Sequence, residues 1–132
     1  MRITGLDHIV LNTPDQERSL AWYTGVLGLA GERIEEWRRG EVPFPSVRID
    51  AGTIIDLFRS EPPAGTNDET ERPNLNHFCL VLPAADWDAM MEAGDIPVER
   101  GPSNVFGARG MGVSIYTRDP DGNVVELRRY DD

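Results

Sequence analysis

Histidine is scarce in this chain of 132 residues: there are two, His8 and His77. Each is followed by a carboxylate at nearly the same distance, Asp56 after His8 and Glu126 after His77, the two spacings differing by a single residue. Two imidazoles and two carboxylates make a donor set for a divalent transition metal such as Zn²⁺, Ni²⁺, Mn²⁺ or Fe²⁺, since imidazole brings neutral nitrogen and carboxylate brings negative oxygen. Four protein ligands in a six-coordinate shell leave two positions, enough for a small substrate to chelate through two oxygens. A metal so placed acts as a Lewis acid on an enolate or oxyanion. Taken one at a time, each residue has an ordinary explanation, a histidine in the core or a carboxylate on a solvated strand. Their common spacing argues for a joint role.

That spacing belongs to a repeat. Leu6-Asp7-His8-Ile9-Val10-Leu11 returns as Leu75-Asn76-His77-Phe78-Cys79-Leu80, and Gly52-Thr53-Ile54-Ile55-Asp56-Leu57 returns as Gly122-Asn123-Val124-Val125-Glu126-Leu127. Each half is expected to run β-α-β-β-β. The first has a strand over 6–12, a helix to about Leu27 capped by Thr13 with Gln16 completing a capping box, and strands near 31–38, 45–50 and 53–59. The second has a strand over 75–82, a helix over 84–93 stopped by Gly94, and strands near 97–100, 112–118 and 123–130. Pro62-Pro63-Ala64-Gly65 and the acidic residues beyond mark a linker over about 60–73, so that module 1 covers about 1–60 and module 2 about 74–132. Asn104 to Gly112, rich in glycine, reads as a lid or a turn.

Strand alternation then sorts the side chains by face. Ile9, Leu11, Ile55, Leu57, Val125 and Leu127 form the apolar set that a helix covers, leaving His8, Asp56, His77 and Glu126 on the other faces. Arg128 shares the face of Glu126 and is either a substrate contact or a strand-end surface charge. Cys79 shares a face with His77 and reads as a small packing residue.

Charge narrows the partners. Acidic residues outnumber basic ones by 23 to 13, for a net charge of −10. That argues against a grip on nucleic-acid phosphates and against anionic membrane surfaces. Every basic residue is Arg, so Schiff-base chemistry and a phosphate-loop Lys are excluded. No apolar stretch approaches the roughly 20 residues of a membrane span, and the N-terminus carries no apolar signal segment. A lone Cys79 excludes an intrachain disulfide. The expected protein is soluble and cytoplasmic, acting on a small molecule.

Three stretches carry a family resemblance: Leu6-Asp7-His8-Ile9-Val10-Leu11 with Leu75-Asn76-His77, the helical Ser19-Leu20-Ala21-Trp22-Tyr23-Thr24-Gly25-Val26-Leu27-Gly28-Leu29, and the tail Ser114-Ile115-Tyr116-Thr117-Arg118-Asp119-Pro120-Asp121-Gly122-Asn123-Val124-Val125-Glu126-Leu127. The chain resembles the vicinal oxygen chelate superfamily, the group of glyoxalase I, bleomycin-resistance proteins and extradiol dioxygenases. The resemblance implies an α+β fold over residues 1–132, a single glyoxalase-like domain of two βαβββ modules forming a cup-shaped sheet around the metal with helices on the outer face, usually within a homodimer. His8, His77 and Glu126 match the family's three recurrent ligands. Asp56 matches the fourth, where glyoxalase I carries a longer Glu.

Within the family, glyoxalase-like lyase or isomerase chemistry is the expectation, and the resemblance to such members makes Glu126 a candidate proton-moving base as well as a ligand, its basicity set by the charge of the ion. Extradiol dioxygenases share a Tyr at the position of Tyr116, but they use a further His as acid–base catalyst, and both histidines here serve the metal. Tyr116 is accordingly a candidate catalytic residue. Fosfomycin-resistance transferases resemble the tail yet need cationic groups that this Lys-free chain supplies poorly. Arg109, Arg48 and Arg128 are candidate anion contacts. Bleomycin-resistance proteins use the same fold without metal to sequester a cationic drug in an acidic, aromatic groove, for which Trp37 is the candidate aromatic.

Overall fold

The computed structural model describes residues 1–60 and 75–131. The expected linker, about 60–73, lies outside them apart from Ser60. The chain divides into two compact units, Met1–Thr66 and Asn67–Asp132. The fold is α+β, two four-stranded mixed sheets with short helices. Among the described residues no helix is long and apolar enough to cross a membrane.

Unit 1 contains β1 (His8–Thr13), α1 (Gln16–Ala21), a π-helical turn (Trp22–Val26), β2 (Ala30–Glu32), α2 (Ile34–Arg38), β3 (Ser46–Asp50) and β4 (Thr53–Arg59). Its sheet runs β1-β4-β3-β2, with β1 and β4 parallel. Unit 2 contains β5 (Phe78–Val81), α3 (Ala84–Ala93), β6 (Arg100–Gly107), β7 (Gly110–Arg118) and β8 (Val124–Arg129), in the order β5-β8-β7-β6. The repeat is exact at the level of register: Val10 lies opposite Asp56 and Leu11 opposite Leu57, while Cys79 lies opposite Glu126 and Leu80 opposite Leu127.

The expected apolar face forms the cores. Leu11, Ile55 and Leu57 are buried with Leu20 and Tyr23, and α1 packs against β4. In unit 2, Val125, Leu127 and Ile115 are buried, as is Trp87 of α3, which packs against β8. Ile9 is half-buried, the exception in the set. Each fully buried aliphatic side chain contributes roughly 1.5–3 kcal/mol, which anchors the opposite strand face and the polar residues on it.

Four local expectations need correction. Asp15, not Thr13, caps α1, accepting from Arg18 N at 3.0 Å, because the Thr13 hydroxyl is taken by the Asp15 backbone and Gln16 reaches to Leu57 O at 2.8 Å. The helix expected to reach Leu27 leaves α geometry after Ala21. The Thr24 hydroxyl donates to Leu20 O at 2.7 Å and competes for a carbonyl of the α ladder, which widens into the π turn closed by Leu27 N to Trp22 O at 3.2 Å. The strand expected over 31–38 stops at Glu32: Arg33 takes a left-handed backbone at φ 58°, Ile34 closes over Gly31, and the rest becomes α2. Finally, the strand expected near 97–100 is β6, beginning at Arg100, and the glycine-rich stretch 104–112 is mostly paired strand, Asn104 opposite Val113 and Gly107 opposite Gly110.

The Asp119-Pro120-Asp121-Gly122-Asn123 segment explains itself in structural terms. Asp119 Oδ1 accepts from the backbone of Asp121 and Asn123, both at 2.9 Å, and Oδ2 accepts from Asn123 Nδ2 at 2.8 Å. This turn sets the β7–β8 register, which puts Tyr116 opposite Glu126 and Ser114 opposite Arg128.

Candidate metal and substrate site

In unit 1, His8 opens β1 and Asp56 lies within β4. His8 Nδ1 meets Asp7 Oδ2 at 2.7 Å, which points Nε2 toward Asp56 Oδ2, 4.0 Å away. The hydrogen bond to Asp7 raises the His8 pKa above the ordinary imidazole value, against some desolvation, and Asp56 adds to the rise. Asp56 is buried, and its Oδ1 accepts from Ser46 Oγ at 2.6 Å. The Ser46 oxygen in turn accepts from Arg33 Nη2 at 2.7 Å, and that guanidinium nitrogen stands 3.7 Å from Asp56 Oδ1.

Unit 2 repeats the arrangement with a closer approach. His77 Nδ1 meets Asn76 Oδ1 at 2.7 Å, and Nε2 faces Glu126 Oε2 at 3.1 Å. Asn76 stands where Asp7 stands in the first repeat, so both rings are oriented by the side-chain oxygen of the preceding residue. Glu126 is 4% exposed, and its Oε1 accepts from Arg128 Nη2 at 3.1 Å. Burial pushes the Glu126 carboxyl up, but the hydrogen bond from Ser114, the Arg128 charge and His77 outweigh it and hold it below the ordinary carboxylate value.

Nδ1 of His77 donates to an amide oxygen, which has no proton to give. Its Nε2 is left to face the carboxylate, as the nitrogen of a metal-ligating imidazole does. Two ligands about 2.1 Å from one ion at angles of about 90–110° are separated by about 3.0–3.4 Å. The 3.1 Å between His77 and Glu126 fits that separation, while the 4.0 Å between His8 and Asp56 exceeds it. The longer gap falls to the shorter carboxylate, Asp having one methylene fewer than Glu. Among the described residues no group of three or more His, Cys, Asp or Glu side chains is gathered to hold an ion. Each unit supplies one imidazole and one carboxylate.

The remaining candidates separate. Tyr116 lies opposite Glu126 and meets the His77 ring edge-on, centroids 5.7 Å apart, so it shares their face. Arg100 stacks on that tyrosine, its Cζ 4.1 Å from the ring centre. Arg128 is neither a surface charge nor an open substrate contact. It is 2% exposed and donates to Ser114 Oγ, Tyr130 OH and the carbonyls of Val105 and Phe106 as well as to Glu126. Arg48 pairs with Glu32 and donates to the carbonyls of Asp50 and Ala51, bracing the β3–β4 turn. Trp37 sits half-buried on α2 rather than on a strand. Arg109 stacks on Tyr130 at 4.2 Å and lines, with Val81, Leu82, Pro83, Ala84 and Tyr130, a cavity of about 280 Å³ that none of His77, Glu126 and Tyr116 borders. Cys79 is exposed at the residue level, and its thiol is pushed up to about 11 by desolvation first and then by Glu126, so without a bound cation it is protonated at neutral pH. The residues missed in the sequence are Arg33, Ser46, Ser114 and the ring-orienting Asp7 and Asn76. For the last two the signal was present, since they precede the histidines at equivalent repeat positions.

The Glyoxalase/Bleomycin resistance protein/Dioxygenase superfamily model matches residues 5–127, and the chain belongs to that superfamily. Among curated relatives, a glyoxalase domain-containing protein, RDO1, of Mycosarcoma maydis is 31% identical over 134 residues, covering 100% of this chain and 72% of that protein. The virulence protein STM3117 of Salmonella typhimurium is 28% identical over 132 residues, covering 98% and 87% respectively. Among solved structures, an integron cassette protein of V. cholerae superposes with a TM-score of 0.75 at 26% identity, covering 99% of this chain and 98% of that one. Lactoylglutathione lyase from Agrobacterium tumefaciens shares the fold, with a TM-score of 0.64 at 24% identity over 98% and 96% of the two chains.

Proposed function

We propose that this protein is a metal-dependent enzyme acting on a small molecule bound through two oxygens, by glyoxalase-like lyase or isomerase chemistry, with His8, His77 and Glu126 as ligands of one divalent ion (Zn²⁺, Ni²⁺, Mn²⁺ or Fe²⁺). The observation that carries the proposal is the 3.1 Å approach of His77 Nε2 to Glu126 Oε2, with Nδ1 already engaged by Asn76. The ion, when bound, supplies Lewis-acid stabilisation of negative charge on the two substrate oxygens. Glu126, buried and kept ionised by its neighbours, takes a proton from the carbon beside those oxygens and returns it elsewhere. Tyr116, on the same face, donates its hydroxyl to a substrate oxygen. Asp56, set back at 4.0 Å, acts through a bridging water. The protein works as a homodimer, which covers outer strands of its four-stranded sheets.

Elemental analysis of protein purified without chelators tests this directly. About one ion per chain is expected, with its loss in the H8A/H77A double variant. A double variant that holds the ion as tightly as wild type overturns the ligand assignment, and a wild-type protein that takes up no ion overturns the enzyme reading in favour of metal-free sequestration. Turnover of methylglyoxal–thiol adducts is the activity to seek first. One observation favours a second reading: with Asp56 set back, two histidines and one carboxylate remain, the ligand count of Fe(II) oxygenases. Oxygen consumption with catechols by the Fe²⁺-loaded protein decides for that reading.

A further inference from the structure

Within unit 2, the far end of the strands holds a cavity of about 280 Å³, walled by the aliphatic residues Val81, Leu82, Pro83 and Ala84 and by Arg109 and Tyr130. Glu126, Arg128 and Tyr130 alternate onto one face of β8 and its extension. Arg128 links the other two, donating from Nη2 to Glu126 Oε1 and from Nη1 to Tyr130 OH, both at 3.1 Å. Its buried guanidinium therefore stands between the cavity and the ligand-type residues of this unit.

Two glycines seat the tyrosine that walls the cavity. A Cβ on Gly112 would lie 3.3 Å from ring carbons Cδ1 and Cε1 of Tyr130, and one on Gly107 would lie 2.6 Å from its hydroxyl. That hydroxyl accepts from Arg109 N at 3.2 Å as well as from Arg128, so the buried ring is fixed. Arg109 is tied to the same tyrosine twice, by its backbone N–H and by its guanidinium, whose Cζ stands 4.2 Å from the ring centre. A side chain held this way has lost much of its rotamer freedom before any ligand arrives, which lowers the entropic cost of binding. A guanidinium stacked on a ring keeps its N–H donors in its own plane, the fork that meets a carboxylate edge to edge.

Charge agrees with that geometry. Among the described residues lining the cavity Arg109 is the charged one and none is acidic, in a chain whose net charge is −10. Asp131, next after Tyr130, is held by Arg129. The Arg109 amide first, and then Arg128, hold the Tyr130 phenol below its ordinary pKa, as a positive field does. We infer that this cavity binds a small organic monocarboxylate with a compact apolar body, its carboxylate on Arg109 and its body against Val81, Leu82 and Pro83. The volume lies just under the roughly 300–1,000 Å³ of pockets that take drug-sized ligands, which sets the size class. The site needs no metal and does not rest on the function proposed above.

Benzoate is the probe. It is titrated into the ¹⁵N-labelled full chain in the presence of a chelator, and backbone amide shifts are followed by two-dimensional NMR. Saturable shifts at Leu82, Ala84 and Arg109 are expected, with a Kd of about 1 mM or below. R109Q should weaken binding about tenfold or more, the worth of a charge-assisted hydrogen bond. V81D should do the same by putting a negative charge on the wall, and both variants replace exposed side chains that the fold does not depend on. Benzyl alcohol, the same body without the charge, and inorganic phosphate, a charge without the body, should each bind about tenfold or more weakly than benzoate. The inference is overturned by shifts that do not saturate by about 20 mM, or by R109Q or V81D within about twofold of wild type. Shifts centred on His77 and Tyr116, or either contrast compound matching benzoate, overturn it equally.

Discussion

Gly107, the last residue of β6, is a position where one methyl group should disturb the buried Arg128–Glu126 pair. Its backbone is not left-handed, so alanine meets no conformational objection there. Space is the obstacle. A Cβ on Gly107 would lie 1.4 Å from Arg128 Nη1, 2.5 Å from its Cζ and 2.6 Å from Tyr130 OH. In G107A the guanidinium must therefore shift, at the expense of its bonds to Glu126, Ser114, Tyr130 and two backbone carbonyls. Losing one partner of a buried, hydrogen-bonded ion pair costs about 3–5 kcal/mol, a large share of the roughly 5–15 kcal/mol that holds a domain folded. For a chain of this length that loss lowers the melting temperature by roughly 10–20 °C. Thermal melts followed by far-ultraviolet circular dichroism give the single-variant value. A double-mutant cycle with R128M isolates the cause: once the guanidinium is gone the methyl meets only the Tyr130 hydroxyl, the far end of a side chain that can turn aside, so G107A should cost much less in R128M than in wild type. A G107A protein within about 3 °C of wild type, or losses that simply add in the double variant, refutes the assignment of Gly107 to guanidinium clearance.

Three further outcomes are expected. E126A should abolish tight binding of a divalent ion while D56A stays within a few-fold of wild type, read by calorimetry; equal losses would show that Asp56 ligates directly despite its 4.0 Å stand-off. Glu99 is held below the ordinary carboxylate value first by its hydrogen bonds from Arg118, so the pair's contribution is present above the unfolded value of 4.5 and is lost as pH falls through the lower folded value. E99Q should accordingly lose up to about 1 kcal/mol at pH 7 and progressively less as pH falls below 4.5 in urea melts, and a pH-independent loss would contradict the pairing. Sedimentation at about tens of micromolar should give a dimer of the 14.7 kDa chain, and a monomer at that concentration would refute the proposed assembly.

Much of this was legible before any coordinates. Strand side chains alternate with a period of two, so one apolar set, Leu11, Ile55, Leu57, Val125 and Leu127, fixed which residues face the core and which face the other way. The repeat did the rest: matching segments adopt matching registers, which is why Val10 opposite Asp56 foreshadows Cys79 opposite Glu126. The helix over 84–93 and its end at Gly94 were equally readable, because a left-handed residue at φ 68° there suits glycine and few others. Where the local reading went astray, a side chain had taken a backbone partner that spacing does not reveal, as Thr24 took Leu20 O and Gln16 took Leu57 O.

By itself, then, the sequence determined the two modules, the faces of their strands and the ligand-type residues on those faces, all of which depend on local periodicity and on similarity between the halves. Only the tertiary structure decided what those residues are paired with. Arg33 reaches Ser46 and Asp56 because a left-handed turn swings it back over its own sheet, and Arg128 reaches Val105 and Phe106 because a glycine lets the β6–β7 hairpin close on it. The reach of Asp56 was likewise a matter of an ångström. Such contacts depend on where distant segments return in space, and electrostatic partnership falls off with distance and strengthens with burial, neither of which a linear spacing carries.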